Sequence, residues 1–405
     1  MMPKKILSVF SVCVLSILFF SCSKKGDTSA VPPTNVETPP VVSVFDVSQP
    51  ITTSNTTMQF YINLDKSTTK SVSVDYTLVD GTATSPKDYT ITSGTLTIPA
   101  GQVQATIDVQ IKGDPTNLRR ANVKFALQLS KPVLCTIGTT TAYGTILTED
   151  GTNLPTDNTG YSTPISYPGY TLAWSDEFSG TSIDLNTWNQ EVGNNGGWGN
   201  NELEYYTNSA KNNFVSNGNL IIEARKEPMG GFNYSSSRMT TQNKKAFKFG
   251  RIDIRAKLPV SKGIWPALWM LGSNISSVSW PACGEMDIME LIGTYPSRVY
   301  STMHWKSVSG GHDSKGTNYN LPSGDFSQQF HVFSMVWVQD LIKCYVDDNL
   351  YLTVASADVG ASNYPFNANQ FFIFNVAVGG DWPGPPDAAT PFPQRMFVDY
   401  VRVFQ

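Results

Sequence analysis

Three carboxylic acids crowd into one short apolar run, Glu285, Asp287 and Glu290 within Cys283-Gly-Glu-Met-Asp-Ile-Met-Glu-Leu-Ile292. Asp and Glu are poor strand formers, and an inward carboxylate without a partner is costly, so the run calls for a reason. In an extended chain Glu285 and Asp287 project to one face while Met286 and Ile288 project to the other. Plain alternation would bury Glu290 with the apolar pair. One extra residue, a β-bulge near Met289, returns Glu290 to the face of the other two acids. Carboxyl-bearing residues two apart on one strand face lie about 6.5–7 Å apart at the backbone. Side-chain lean can close that to the roughly 5–5.5 Å between nucleophile and proton donor in a retaining glycosidase. Crowding also separates the pKa values, so that one acid keeps its proton while another is ionised. On these grounds either end could be the nucleophile. A solvated edge strand or a calcium site would use the same acids differently, and the surrounding chain must decide.

That chain reads as strands throughout. Candidates in the second half include Asn219-Leu-Ile-Ile-Glu-Ala-Arg225, Arg251-Ile-Asp-Ile-Arg-Ala-Lys-Leu258, Val332-Phe-Ser-Met-Val-Trp337, Phe371-Phe-Ile-Phe-Asn-Val-Ala-Val378 and Phe397-Val-Asp-Tyr-Val-Arg-Val403. No long helical period interrupts them, which predicts two packed antiparallel sheets over residues 169–405. Trp265 and Trp269 stand four apart in another candidate strand, on one face, with Ile264, Leu268 and Met270 on the opposite side. Aromatic rings along a groove suit the flat C–H faces of sugars. Earlier in the chain, Met58–Leu64, Ser71–Leu78 and Ala105–Ile111 alternate with period two, separated by Asp80-Gly81 and Pro99-Ala-Gly101 turns. This predicts an immunoglobulin-like β-sandwich over 42–150. Residues 151–168 read as a linker.

Gly284-Glu-Met-Asp-Ile-Met-Glu290 resembles the signature of glycoside hydrolase family 16 in its bulged form, found in the laminarinase, agarase and carrageenan-cleaving branches and not in the lichenase branch. The likeness extends through Trp174-Ser-Asp-Glu-Phe178, Gly197-Trp-Gly-Asn-Asn-Glu-Leu-Glu-Tyr-Tyr206, Gly263-Ile-Trp-Pro-Ala-Leu-Trp-Met-Leu271, Trp280-Pro-Ala-Cys-Gly284, Val378-Gly-Gly380 and Val398-Asp-Tyr-Val-Arg-Val403. It implies a β-jelly-roll sandwich with a cleft across its concave face. It also implies Glu285 as nucleophile, Glu290 as general acid/base and Asp287 as the residue that orients the nucleophile. No cofactor is called for in catalysis. The Asn194–Glu202 loop is similar to the laminarinase substrate loop, which implies that Asn194, Glu202 and Arg238 bind sugar hydroxyls. By the same likeness His304 lies near the cleaved linkage and Trp280 walls the cleft. Glu204 departs from the Gln more usual there. The expected substrate is β-1,3-glucan, with mixed β-1,3/1,4-glucan, agarose or carrageenan as alternatives. A noncatalytic glycan-binding protein and a transglycosylase are the rival activities. The cleft segments are not notably basic, which disfavours sulfated polymers. Family members often bind a structural calcium on the convex side, and the matching positions are Glu177, the backbone oxygen of Gly218, and Asp399.

The earlier segments DGTATSPKDYTITSGTLTIPAGQ, IDVQI, FALQLS and AYGTIL resemble a Calx-β module. Such modules often hold calcium through clustered acids. Asp88 and Asp114 remain, whereas Asn122 stands where an acid is common.

Ahead of both, Lys4 and Lys5 precede an apolar stretch from Ile6 to Phe20 that ends in Ser21-Cys22. A charged start, a short apolar core and a small residue make a signal peptide over 1–21, too short for a conventional spanning helix. Cys22 follows as in a bacterial lipobox, which implies lipidation of Cys22 and a membrane anchor through a Pro-rich tether over 22–41. An exported envelope lipoprotein, at the outer membrane of a Gram-negative bacterium, is the expectation. Net charge of −4 with no long basic block excludes nucleic acid as a partner class. A monomer is expected. Cys135, Cys283 and Cys344 read as buried thiols.

Overall fold

The computed structural model describes residues 38–90, 92–360 and 364–405. Cys22 and the signal segment lie outside the described residues. Two β-sandwiches follow one another. The first pairs a four-stranded sheet with a five-stranded one. Its core is built from the inward members of alternating strands, among them Met58, Phe60 and Ile62 of Thr56–Leu64, and Ile107, Val109 and Ile111 of Gln104–Ile111.

The second sandwich stacks an eight-stranded sheet on a seven-stranded one. The seven-stranded sheet runs Asn189–Glu191, Arg238–Thr240, Gln370–Val378, Ile264–Gly272, Glu285–Glu290, Arg298–Lys306, His312–Asn320. The terminal strand Gln394–Phe404 lies inside the other sheet, flanked by Asn219–Ala224 and Gly250–Lys257. Core side chains come from both inner faces. Ile264, Leu268 and Met270 turn inward on one strand while Ile252, Ile254, Met335 and Trp337 meet them from the opposite sheet. Burial of this apolar surface is what holds the two sheets face to face.

The connection over 151–168 is not a free tether. It crosses the eight-stranded sheet and is pinned along its length. Arg255 donates to the carbonyls of Asn158 and Tyr161, Tyr161 bonds Asp348 at 2.7 Å, and Tyr400 accepts from the Thr163 amide at 2.9 Å. Gly160 lies against Phe330, whose carbonyl oxygen a Cβ at that position would meet at 2.1 Å. Polar backbone that would otherwise be solvated is thus paired with residues of the second sandwich.

The two sandwiches also touch directly. Arg119, with its side chain only 1% exposed, reaches from the first module to the carbonyls of Ala210 and Lys211. Its guanidinium lies 4.1 Å from the centroid of Phe214 and 3.6 Å from the buried carboxylate of Glu223. Glu223 is also gripped by Arg225 and Arg395, and Arg225 reaches back to Glu149 at 2.9 Å. Inside the module, Asp88 is paired with Arg120 at 2.8 Å, Asp114 accepts the amides of Thr116 and Leu118, and Asn122 accepts that of Thr148. Arginine and turn backbone therefore occupy the groups through which a cation would be held.

Candidate active site

The bulge falls where the acid spacing requires it. Along Glu285–Glu290, Asp287 pairs with Trp269 on one side and Thr302 on the other, while Glu290 pairs with Ala267 and Tyr300. Ile288 and Met289 together oppose a single residue, Ser301, and both enter the core fully buried. Ser301 fastens the distortion by donating to the Asp287 carbonyl at 2.6 Å, and Tyr351 donates to the Ile288 carbonyl at 3.3 Å. Gly284, at φ 79°, turns the chain into this strand in a conformation that L side chains rarely adopt.

Each acid meets a different set of partners. Trp280 Nε1 donates to Glu285 Oε2 at 2.8 Å, and Trp265 Nε1 donates to Glu290 Oε1 at 3.1 Å. His304 Nε2 lies 3.1 Å from Asp287 Oδ2 and 3.9 Å from Glu285 Oε1. Burial, reinforced by the neighbouring Asp287 charge, pushes the Glu285 carboxyl up to about 8. His304, the Trp280 N–H and Arg238 oppose that rise. Asp287 is lifted well above its ordinary range by burial. Glu290 is also lifted well above its range, first by burial and then by both neighbouring carboxylates. Each glutamate is therefore raised by burial and crowding and opposed by its own donors, Trp280 and His304 for Glu285 and Trp265 and His304 for Glu290. The acids that strand spacing left interchangeable thus meet different partners.

Around the acids runs a groove lined by Trp198, Glu202, Arg238, Trp265, Trp269 and Trp280, among others. Trp265 and Trp269 both face it, as their alternation in Ile264–Gly272 implies. Trp269 is not an open platform, however. The Arg238 guanidinium is sandwiched between Trp198 at 4.7 Å and Trp269 at 4.8 Å, and it is ion-paired with Glu191. Glu202 accepts from Tyr206 at 3.0 Å and from Asn200 at 3.2 Å. Asn194 corrects the sequence expectation. Its amide nitrogen bonds the carbonyls of Glu202 and Glu204, and its oxygen accepts the Gly197 amide. Both amide protons and one lone pair of the oxygen are taken up within the loop, so the main work of Asn194 is to shape it.

The calcium expectation meets other partners. Both oxygens of Glu177 are held by Arg402, and Asp399 is paired with Arg255 at 2.7 Å. Gly218 occupies the turn between Asn213–Ser216 and Asn219–Ala224 at φ 73°. Guanidinium groups thus hold both Glu177 oxygens and one Asp399 oxygen, the carboxylate atoms that the expected cation would need. Among the described residues, only Glu285, Asp287 and His304 bring three potential ligand atoms within 4.8 Å of one another. Cys135, Cys283 and Cys344 are free and buried, and burial pushes the last two thiols up to about 11 and 12, which leaves them inert.

Two site residues escaped the sequence reading. Asn375 is the lone polar residue in Phe371–Val378, and that was its signal. It accepts from Trp269 at 2.8 Å and donates to Tyr206 at 3.1 Å, tying the tryptophan to the loop. His312 gave no signal, because only hairpin register brings it to His304.

Residues 200–402 match the model of glycosyl hydrolases family 16, and residues 37–151 match the Calx-beta domain. The chain belongs to glycosyl hydrolases family 16. A glucan endo-1,3-beta-glucosidase A1 of Niallia circulans is 40% identical over 269 residues, covering 61% of this chain and 39% of the relative. A beta-glucanase of Rhodothermus marinus is 40% identical, covering 59% of this chain and 86% of the relative. The laminarinase catalytic domain of Thermotoga maritima is 49% identical with a TM-score of 0.55, covering 58% of this chain and 98% of that domain. The chain thus spans well under half of the Niallia relative and most of the Rhodothermus one. The family 16 sandwich is nearly all-β, as the strand pattern predicts, and its laminarinase neighbours fit the jelly roll that the resemblance implies.

Proposed function

We propose that the chain is a retaining endo-glycosidase that hydrolyses β-1,3-glucan. The observation that carries this is one bulged strand that brings three acids to the cleft, each with different donors. Glu285 accepts from Trp280 and faces His304, whereas Glu290 accepts from Trp265 and is lifted by burial and by both neighbouring acids, as suits a proton donor. In the first step a Glu285 oxygen attacks the anomeric carbon while Glu290 gives its proton to the departing glycosidic oxygen. The C–O bond to the leaving sugar breaks as the ester to Glu285 forms. Glu290, now a carboxylate, takes a proton from water, and the oxygen of that water displaces Glu285 with net retention. Asp287, beside Glu285 on the strand and 3.1 Å from His304, orients the nucleophile and tunes its charge. The substrate class rests on the glucanase and laminarinase relatives and on a groove of tryptophans. Mixed-linkage β-1,3/1,4-glucan fits the same groove.

The test is Glu285→Gln assayed on laminarin, with proton NMR of the first product released by the wild type. Loss of turnover with laminarin binding intact, and a β-anomer formed first, are expected. Turnover retained by the variant, or an α-anomer first, refutes the assignment. A panel of laminarin, mixed-linkage glucan, agarose and carrageenan with product sizing separates the substrates, and reducing ends that fail to accumulate would favour a binding protein or transglycosylase.

Lys4, Lys5, the apolar run and Cys22 support an exported lipoprotein acting from the cell envelope. Lipid labelling lost in Cys22→Ser tests the anchor.

A further inference from the structure

His312 stands on the edge strand His312–Asn320, across from Lys306 and diagonal to His304, on the face that carries the cleft. Its Nε2 lies 2.8 Å from His304 Nδ1, and the two rings stack with centroids 5.0 Å apart. Its other neighbour is Trp280, at 4.8 Å between centroids. Trp280 in turn donates to Glu285, and the far nitrogen of His304 faces Asp287 and Glu285. The four residues Trp280, Glu285, His304 and His312 therefore close a ring at one wall of the cleft.

A neutral imidazole carries its proton on one nitrogen, and the bond made by the other nitrogen decides which. We propose that His312 is a positioning residue that holds His304 with a proton on Nε2, so that an N–H always faces Asp287 and Glu285. When His304 is neutral, His312 donates Nε2–H to His304 Nδ1, which leaves the His304 proton on Nε2. When His304 is cationic, its Nδ1–H donates to His312 Nε2 and both His304 nitrogens are protonated. Either state presents Nε2–H to the carboxylates. Without His312, the Nδ1–H tautomer becomes available and turns a lone pair toward two acids. The charged groups facing His312 are Lys306 across the hairpin and Asp313 beside it in sequence. Burial and His304 keep His312 itself from protonating easily.

The inference rests on Glu285 acting as nucleophile, but its first readout does not need activity. The chain has three histidines, His304, His312 and His331, so long-range nitrogen–proton NMR of uniformly labelled protein resolves every imidazole. His304 is expected in the Nε2–H form in wild type and in Nδ1–H or mixed form in His312→Phe, which keeps the ring wall but removes the bond. On laminarin, His312→Phe should lose about fivefold to tenfold in kcat, the worth of one neutral hydrogen bond, with KM little changed. His312→Gln, whose amide can donate to His304 Nδ1, should recover both tautomer and rate. An unchanged His304 tautomer in His312→Phe, or a Gln variant no better than Phe, overturns the proposal. A shifted tautomer with wild-type kcat also overturns it, whereas an inactive wild type with the tautomer shift intact would fault the proposed reaction instead.

Discussion

Trp280→Phe isolates one contact. Phenylalanine keeps an aromatic wall beside His312 but removes the N–H that lies 2.8 Å from Glu285 Oε2. A hydrogen bond to a charged acceptor is worth about 1.5–3 kcal/mol, and one pKa unit corresponds to about 1.36 kcal/mol, so loss of the full bond would raise the Glu285 carboxyl by about one to two units. Trp280 is 46% exposed, so water replaces part of the lost donor and about one unit is expected. The sign follows from the chemistry. The donor stabilises the carboxylate, its removal favours the acid, and the nucleophile must be ionised. The acidic limb of kcat/KM on laminarin should therefore move about one unit toward alkaline pH, with roughly tenfold less activity on the acidic side and convergence toward wild type above the new limb. Reducing-end release measured from pH 4 to 10 reads both. A limb that stays in place while kcat/KM falls uniformly would show that Trp280 acts only as a wall, and would refute the electrostatic reading of Glu285.

Glu204→Gln should remove a pH-dependent cost. The Glu204 side chain is fully buried, accepts the Val378 amide at 2.6 Å, and is lifted well above the ordinary range by burial and then by Glu202. A raised acid stabilises the fold below its unfolded pKa and loses that advantage as pH climbs toward the folded one, so the variant should melt higher than wild type at pH 8 and alike at pH 4. A wild-type pH slope in thermal melts of the variant would count against this. Arg119→Ala leaves Glu223 with Arg225 and Arg395, so a loss of about 2–3 kcal/mol is expected, below the cost of fully breaking a buried pair. Calorimetry should resolve a separate transition for the first sandwich, and proteases should cut within 151–168 sooner, with kcat unchanged; one unshifted transition would make the docking inconsequential. Arg238→Lys loses the planar stack between Trp198 and Trp269, and about a tenfold rise in KM for laminarin is expected from two cation–π contacts of about 0.5–1 kcal/mol each. An unchanged KM would argue that the loop holds without it.

The acid strand shows how far a one-dimensional pattern reaches. Glu285, Asp287 and Glu290 with two core-seeking residues between the last pair leave a bulge as the arrangement that spares both carboxylate and apolar side chains, and Ile288 and Met289 take up that arrangement. Strand existence was similarly legible where burial alternates, as in Thr56–Leu64 and Gln104–Ile111. Period-two burial is a local consequence of backbone geometry, so local sequence carries it. Asn194 was misread because its partners are carbonyls of its own loop, and loop carbonyl directions are not written in residue types. The 151–168 segment looks like any Pro- and Gly-bearing connection until Arg255, Tyr400 and Arg402 are found beneath it.

Sequence by itself determined the all-β architecture, the acid cluster and its bulge, because each depends on neighbours within a few residues along one strand. Tertiary structure alone decided which donors meet each acid, which partners the arginines take and how His312 meets His304. Those outcomes depend on desolvation and on donors brought together from strands and turns distant in the chain, and no spacing in the sequence encodes that convergence.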